Sequence, residues 1–312
     1  MTFLARRAKR KAEQDGSLSR ARSKITFADY LLALFFILMI AFTFLPMVNM
    51  LARSLSDGNA IARMQVGLIP VGFHLDAYRL IFNDAQYIRS LFFTVQLTVV
   101  FLIISMTLTI FTAFPLSYDN LKGSRIFVMI MLITIYFHVG IIPNFILYSH
   151  LGLINNFWVL VLPNALSVFN VIIMRSFFFG IPVSLREAAE VEGANPLQIL
   201  AKIYLPLSTP VLATLSLFYA VGRWNGFTDA LIFIQPSHRH LYPIQMLLYE
   251  LINNLTNIEA AAAEGVGGMG FGGLTQSLIA ASVMFATVPI LMVYPWLQRY
   301  FISGATLGAV KE

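Results

Sequence analysis

The chain has 312 residues, of which 58% are hydrophobic and only 12% are charged, whereas a soluble globular domain carries about 25% charged residues. This composition, with a mean hydropathy of +0.76, excludes a soluble enzyme and indicates a membrane protein. The absence of cysteine excludes disulfides, thiolate nucleophiles and Cys-ligated metal sites. The net charge of +6 does not indicate nucleic-acid binding, because eight of the 21 Lys and Arg residues lie in the first 24 positions.

Six apolar runs are each long enough to cross a bilayer, for which a helix needs about 20 apolar residues. They cover residues 30–51, 90–118, 126–149, 155–174, 211–235 and 274–298. A basic tail over residues 1–29 precedes the first run. That run is too long for a signal peptide and no small-residue cleavage site follows it, so we expect an uncleaved anchor. The predicted fold class is all-α, a polytopic bundle of six transmembrane helices.

Positive charges predict the orientation of this bundle, because Lys and Arg are enriched in cytoplasmic loops. With the basic tail inside, fifteen of the 21 Lys and Arg residues lie on the cytoplasmic side and five in the outer loops. We therefore expect both termini in the cytoplasm, including a C-terminal tail over residues 301–312. The loop 52–87 is expected outside.

The cytoplasmic loop 182–206, between the fourth and fifth runs, has the pattern of two short helices around a turn. Ser184 with Glu187 predicts a capping box that begins the first helix. Gly193 predicts its end, because glycine tolerates the left-handed conformation found there. Asn195 then caps a second helix with Pro196 at its first position. A capped loop without any docking role would show the same local pattern.

The spacing of residues in this loop resembles the EAA motif of permease subunits of bacterial ABC importers. The matching residues are Glu187, Ala188, Ala189, Gly193, Ile203, Leu205 and Pro206. The resemblance extends over residues 88–300, the type-1 importer transmembrane domain. In that family the loop forms a coupling helix that docks on a separate ATPase subunit. The resemblance therefore implies a transport subunit that is not itself an enzyme, with ATP and Mg bound by the partner ATPase and no cofactor in this chain.

Three further stretches resemble the MalG class of carbohydrate permeases, and within it the LplC/YtcP branch. They are Trp224-Asn225, Tyr242-Pro243-Ile244-Gln245 and Gly308-Ala309-Val310-Lys311. The resemblance implies a permease in the bacterial cytoplasmic (inner) membrane that forms half of a pathway for oligosaccharides. It also implies four kinds of partner: a second, different permease subunit (LplB-like), two copies of an ATP-binding subunit, an extracytoplasmic solute-binding protein and the lipid membrane.

Polar residues inside the fifth run mark a candidate substrate pathway. Charges in the hydrocarbon cost at least about 2.5–3.5 kcal/mol each, so they face a partner group or a wet cavity. Arg223 and Asp229 are six residues apart and point in different directions on a continuous helix, so we do not expect them to pair. Asn225 and Asp229 are four apart and share a face. The candidate pathway residues are Arg223, Trp224, Asn225 and Asp229.

Several other patterns favour packing or loops rather than chemistry. The GxGxxG match at residues 268–273 lacks a preceding strand, and Gly222 with Gly226 forms a GxxxG step typical of helix packing. No phosphate-binding GxxxxGK[ST] loop occurs, and the five histidines show no HExxH spacing, so His238 and His240 favour a solvated loop over a metal site. No cluster combines a nucleophile, a base and an orienting group, which argues against a membrane enzyme. A stand-alone secondary transporter or channel remains the alternative, although no inverted repeat supports it.

Overall fold

The computed structural model describes residues 27–118, 120–137, 139–263 and 275–292, with side chains up to residue 254 in the third of these ranges. His138, the glycine-rich run 268–273 and the C-terminal stretch 308–311 lie outside the described residues. Every regular element in the described ranges is helical. The helices are α1 (Phe27–Ser54), α2 (Gly58–Ala62), α3 (Asp76–Asn83), α4 (Ala85–Leu116), α5 (Ser124–Tyr136), α6 (Ile141–His150), α7 (Val168–Phe179), α8 (Val183–Val191), α9 (Pro196–Leu207), α10 (Thr209–Asn225), α11 (Thr228–Phe233), α12 (Ile244–Ala263) and α13 (Thr275–Met292).

Three of these helices, α1, α4 and α13, are each long and apolar enough to cross a membrane without a break. Helix α4 has 32 residues and is about 48 Å long at 1.5 Å per residue, which exceeds the roughly 30 Å hydrocarbon core. Three bent pairs also pass the test together: α5 with α6, the turns 157–164 with α7, and α9 with α10. The prediction of a polytopic helical membrane protein is thus confirmed.

The third and fourth predicted spans are not straight helices, which corrects the sequence analysis. Helices α5 and α6 meet at 115°, and Gly140 adopts a φ of +85° where α6 begins. The first part of the fourth run forms two short 3₁₀ turns, Phe157–Leu160 and Leu162–Asn164, before α7 starts after Ser167. Apolar composition predicts how long a membrane segment is, whereas Gly140 and the Ser167 N-cap determine where α6 and α7 start.

The fifth predicted span is interrupted as well. Helix α10 ends at Asn225, Gly226 and Phe227 are non-helical, and α11 begins at Thr228. Asn225 and Asp229 therefore belong to different helices and do not share a helix face, contrary to the sequence analysis. The break therefore determines how Arg223 and Asp229, which lie on either side of it, are oriented.

Helix α4 runs through two buried clusters. One half packs against the turn at Val159–Val161, α10 and α11, with Leu97, Phe101 and Tyr219 at the centre. The other half packs against α7, α9 and α10 around Phe114, Phe178 and Tyr204, whose three rings meet edge to face at 5.1–6.3 Å. The first cluster supports the polar cavity described below, and the second supports the loop 182–206.

Helix α12 has no counterpart among the predicted spans, because it lies between the fifth and sixth apolar runs, in residues 236–273. Its sequence has apolar residues at Ile244, Leu247, Leu248 and Leu251, the three-to-four spacing of an amphipathic helix. This period was the signal that could have identified it. Ile244 is anchored through its backbone N–H, which donates to Thr94 Oγ1 of α4 at 2.8 Å.

Candidate functional site: a coupling segment and a polar cavity

The loop 182–206 is hereafter called the coupling segment, and the N-cap of its first helix lies two residues earlier than predicted. Helix α8 starts at Val183, and Pro182 occupies the N-cap with an extended ψ of 126° and no side-chain cap. Ser184 is therefore already inside the first turn, and the predicted capping box of Ser184 with Glu187 is wrong. The physical reason is Pro182, whose ring holds φ near the helical value and so prepares the start of the helix.

The turn between the two helices of the coupling segment is a Schellman motif. Gly193 has a φ of +81°, as the sequence predicted. Its N–H donates to the Glu190 carbonyl at 3.0 Å, and the Ala194 N–H donates to the Ala189 carbonyl at 2.9 Å. These two bonds satisfy the last carbonyls of α8 and fix the direction in which the chain leaves it.

Helix α9 starts at a complete capping box. Asn195 Oδ1 accepts from the Gln198 N–H, and Gln198 Oε1 accepts from the Asn195 N–H, both at 2.9 Å. Pro196 is the first helical residue, as predicted. The turn Leu200–Tyr204 is a π-helix just before Pro206, which has no N–H to donate to a carbonyl one turn back.

The EAA-motif residues divide into an inner and an outer set. Ala189, Ile203 and Leu205 are half-buried and pack against the cluster around Phe114 and Tyr204. The other members are exposed in the chain, and they are Glu187, Ala188, Gly193 and Pro206. The segment is thus anchored on one side and presents a free face on the other.

Two arginines join the end of α4 to the helices that follow it. The Arg186 guanidinium lies 4.4 Å from the centre of the Tyr118 ring and forms an ion pair with Glu190 at 3.5 Å. Arg175 Nε donates to the Leu116 carbonyl at 2.7 Å. Burial raises the pKa of the Tyr118 phenol, and Tyr204 and Glu190 add to that rise while Arg186 opposes it.

A polar cavity of about 370 Å³ lies where α4, α7, α10 and α11 come together. Three aromatic side chains, three amide or hydroxyl side chains of the α7 region and the polar groups around the α10 break line it. These residues are Phe101, Asn164, Ser167, Asn170, Phe218, Tyr219, Gly222, Arg223, Gly226, Thr228 and Asp229.

Arg223 and Asp229 form a buried ion pair at this cavity, so the prediction that they do not pair is wrong. Nη2 of Arg223 donates to Asp229 Oδ1 at 3.0 Å, and Nη1 donates to Asp229 Oδ2. The expectation assumed a continuous helix, whereas the break after Asn225 turns the chain back toward the guanidinium. Arg223 also donates to the carbonyls of Leu160 and Gly226 at 2.8 and 3.2 Å.

The other two candidate pathway residues lie away from the cavity lining. Trp224 is buried and its Nε1 donates to the Ala286 carbonyl of α13 at 3.0 Å. Asn225 is exposed at the end of α10. The pathway assignment of these residues stays a prediction, but the geometry gives Trp224 an evident packing contact.

The GxxxG step of α10 does not serve helix packing within the described part of the chain. A Cβ atom added at Gly222 would meet no atom within 4 Å, and Gly222 lines the cavity. A Cβ at Gly226 would come within 3.0 Å of Arg223 Nη2. The two glycines therefore leave room for the cavity and for the guanidinium.

Sequence reasoning missed the cavity residues on α4 and α7, and also Tyr219 on α10. Tyr219 lies between Thr109 and the Ser167 backbone: its hydroxyl is 2.7 Å from Thr109 Oγ1 and accepts from the Ser167 N–H at 3.2 Å. Asn170 is 5% exposed. The only sequence signal was an amide inside an apolar run, since polar groups at membrane depth need a partner.

Comparison with known proteins identifies the family. Residues 99–306 match the family described as "Binding-protein-dependent transport system inner membrane component". The polygalacturonan/rhamnogalacturonan transport system permease protein YtcP of Bacillus subtilis (strain 168) is 37% identical, over 91% of this chain and 98% of that protein. Protein LplC of the same organism is 35% identical, over 87% of this chain and 90% of that protein.

Solved structures agree with this assignment. A chain of a bacterial ABC transporter involved in the import of the acidic polysaccharide alginate is 31% identical, with a TM-score of 0.78. The match covers 88% of this chain and 98% of that chain. A chain of a bacterial alginate ABC transporter in complex with an alginate pentasaccharide-bound periplasmic protein, 20% identical with a TM-score of 0.52, shows the same fold. This protein therefore belongs to the inner membrane components of binding-protein-dependent transport systems.

Proposed function

We propose that the chain is a permease subunit of an ATP-driven importer of acidic oligosaccharides. It forms half of the translocation pathway and is coupled to a separate ATPase through the coupling segment. The observation that carries the proposal is the geometry of that segment. It is a doubly capped helix–turn–helix with one face anchored on the bundle and Glu187 and Ala188 exposed on the other. Such a compact element transmits force as a rigid body. ATP and Mg are bound by the partner ATPase.

The proposed topology has six spans with both termini in the cytoplasm. Helices α1, α4 and α13 supply three spans, α5 with α6 a fourth, and the turns 157–164 with α7 a fifth. The sixth is α10, continued by α11. Helix α9 lies at 85° to α10, so it runs along the membrane surface rather than through the bilayer. The charge bias between the two sides supports this orientation.

The acidic character of the substrate rests on the relatives and not on Arg223. YtcP is named for polygalacturonan and rhamnogalacturonan, and the 31% identical chain belongs to an importer of alginate, an acidic polysaccharide. Asp229 neutralises Arg223, so the field of a lone membrane arginine does not contribute. The outer-side Arg239 is likewise paired with Glu250 at 2.5 Å.

The proposed assembly contains a second, different permease, two ATP-binding subunits and an extracytoplasmic solute-binding protein. The exposed surfaces of α5 and α6 require such neighbours or lipid, because no residue of either helix is buried within the chain itself. The stand-alone carrier is not favoured by any contact in the described residues.

The test uses Gly193, where φ is positive but a Cβ would meet no atom within 4 Å. Gly193→Val is strained only through its backbone, whereas Gly193→Asn tolerates the left-handed conformation and serves as the matched control. We expect the Val variant to reach the membrane at normal levels, to lose pull-down of the ATPase and to lose oligogalacturonide-stimulated ATP hydrolysis. The Asn variant should retain both.

Two results would count against the proposal. Normal pull-down and normal stimulation in Gly193→Val would remove the coupling segment from the mechanism. A wild-type complex that imports neutral oligosaccharides but no oligogalacturonide would leave the importer in place and exclude the acidic substrate.

A further inference from the structure

The polar cavity has the chemistry of a site that recognises hydroxyl groups. Its volume of about 370 Å³ is within the range of about 300–1,000 Å³ typical of small-ligand sites. Asn164 and Asn170 supply amides, and Thr228 supplies a hydroxyl. Phe218, whose side chain is 46% exposed, lies at the rim with an available ring face. Amides that pair with hydroxyls beside an aromatic surface suit a pyranose ring.

Asn170 lines the cavity with a side-chain amide whose atoms keep some access to it rather than being fully enclosed by the protein. It is 5% exposed, and no described residue hydrogen-bonds its side-chain amide. Its backbone N–H alone is used, donating to Ser167 Oγ at 3.4 Å. An amide in a largely apolar environment needs a hydrogen-bond partner, which protein, water or ligand can supply. The cavity gives water or a ligand access to the amide of Asn170.

The terminal nitrogens of Arg223 and the carboxylate of Asp229 at the same cavity are already hydrogen-bonded within the protein, and Arg223 Nε, although without a partner, is buried out of a ligand's reach. Both terminal nitrogens of Arg223 donate to Asp229 and to backbone carbonyls. Asp229 Oδ1 also accepts from the Ala230 N–H at 3.0 Å. The pair has no net charge, and its atoms hold the α10 break in place. The hydrogen-bonding capacity left for a ligand is therefore neutral.

We propose that this cavity is a saccharide subsite in the membrane part of the subunit, where Asn170 and Asn164 hydrogen-bond ring hydroxyls and Phe218 packs against the ring. The site recognises the neutral part of the sugar, and Arg223 does not bind a uronic carboxylate. The inference rests on the proposed function, since it assumes that oligosaccharides pass through this subunit.

The experiment uses the complete importer in proteoliposomes with saturating, loaded solute-binding protein. The probes are an oligogalacturonide and its methyl-esterified, neutral form. We expect Asn170→Leu to lower the uptake rate of both probes about tenfold, as loss of a buried hydrogen bond predicts. Gln96→Leu, which removes an exposed amide of α4 outside the cavity, is the matched control and should transport normally.

Asn164→Leu keeps the test valid if Asn170→Leu fails to assemble, because Asn164 is exposed in the chain and its replacement leaves the core intact. Its uptake rate should fall for both probes as well. Wild-type rates in both Asn variants would make the cavity a water-filled passage and overturn the subsite. Loss confined to the acidic probe would overturn the neutral mode of recognition. A wild-type complex that imports neither probe would instead refute the proposed function itself.

Discussion

At Arg223, burial in the membrane part of the chain determines how strongly the ion pair with Asp229 affects stability. Arg223 is 5% exposed, so its charge is removed from water. Its desolvation is offset by Asp229, by the carbonyls around it and by the Phe101 ring, whose centre lies 5.9 Å from the guanidinium. Replacing both charges of a buried pair is often nearly neutral, whereas removing one partner leaves an uncompensated charge and costs about 3–5 kcal/mol. The exposed pair Arg79–Asp76, at 3.2 Å, offers a contrast because solvent screens it.

Asp229→Asn should therefore destabilise the purified complex, while Asp76→Asn, which breaks the exposed pair, should change little. The double variant Arg223→Met/Asp229→Asn should be more stable than Asp229→Asn alone, because it removes the unpaired buried charge. The measurement is the midpoint of thermal inactivation in detergent. Equal midpoints for Asp229→Asn and Asp76→Asn would show that Arg223 finds another partner or water.

Among the elements, α4 connects the coupling segment with the polar cavity. Its last turn is held by Arg175 at the Leu116 carbonyl and is followed by Tyr118 beneath Arg186. Further along the same helix, Thr109 hydrogen-bonds Tyr219 of the cavity lining. We expect a movement of α8 to pass through Arg186 to the end of the single helix α4. On this hypothesis Arg186 is a positioning residue for coupling.

Arg186→Met should preserve the length of the side chain but remove its charge, and with it both the ring contact and the Glu190 ion pair. We expect sugar-stimulated ATP hydrolysis to fall severalfold while pull-down of the ATPase persists, because the exposed face with Glu187 is unchanged. Arg186→Lys should recover part of the stimulation, since a lysine also interacts with an aromatic face. Unchanged stimulation in Arg186→Met would mean that force reaches α4 by another contact.

The elements also show which features a sequence can predict. Apolar length identified the regions of the spans, and the cap residues Gly193, Asn195 and Pro196 predicted the turn and the second helix of the coupling segment. The bend at Gly140 and the break at Gly226 were not predictable from apolar length, because they depend on backbone conformations within continuous apolar runs. The cavity was missed for a related reason: its residues lie on separate runs that only packing brings together.

For the whole molecule, the dominant feature is apolar surface that the chain cannot bury by itself. Large exposed apolar side chains occur along α1, α4, α5 and α6, for example Phe42, Phe92, Ile126 and Ile142. In water such patches would cause aggregation, whereas lipid tails and a second permease provide an apolar environment. The polar segments between the spans must then be distributed between the two aqueous sides of the membrane.

Reporter fusions test that distribution directly. Near Asn195, in the turn of the coupling segment, a reporter should read cytoplasmic, and one near Gly152, after α6, should read outside. The reason is that fifteen basic residues lie on the proposed inner side and only five on the outer side. By the positive-inside rule, the side richer in Lys and Arg is cytoplasmic. A fusion near Asn120 should read cytoplasmic, like the one near Asn195. The reason is that α5 and α6 together form the proposed span between Asn120 and Gly152. Identical readings at Asn120 and Gly152 would mean that the 115° bend makes α5 and α6 a re-entrant hairpin, and the chain would then have fewer than six spans.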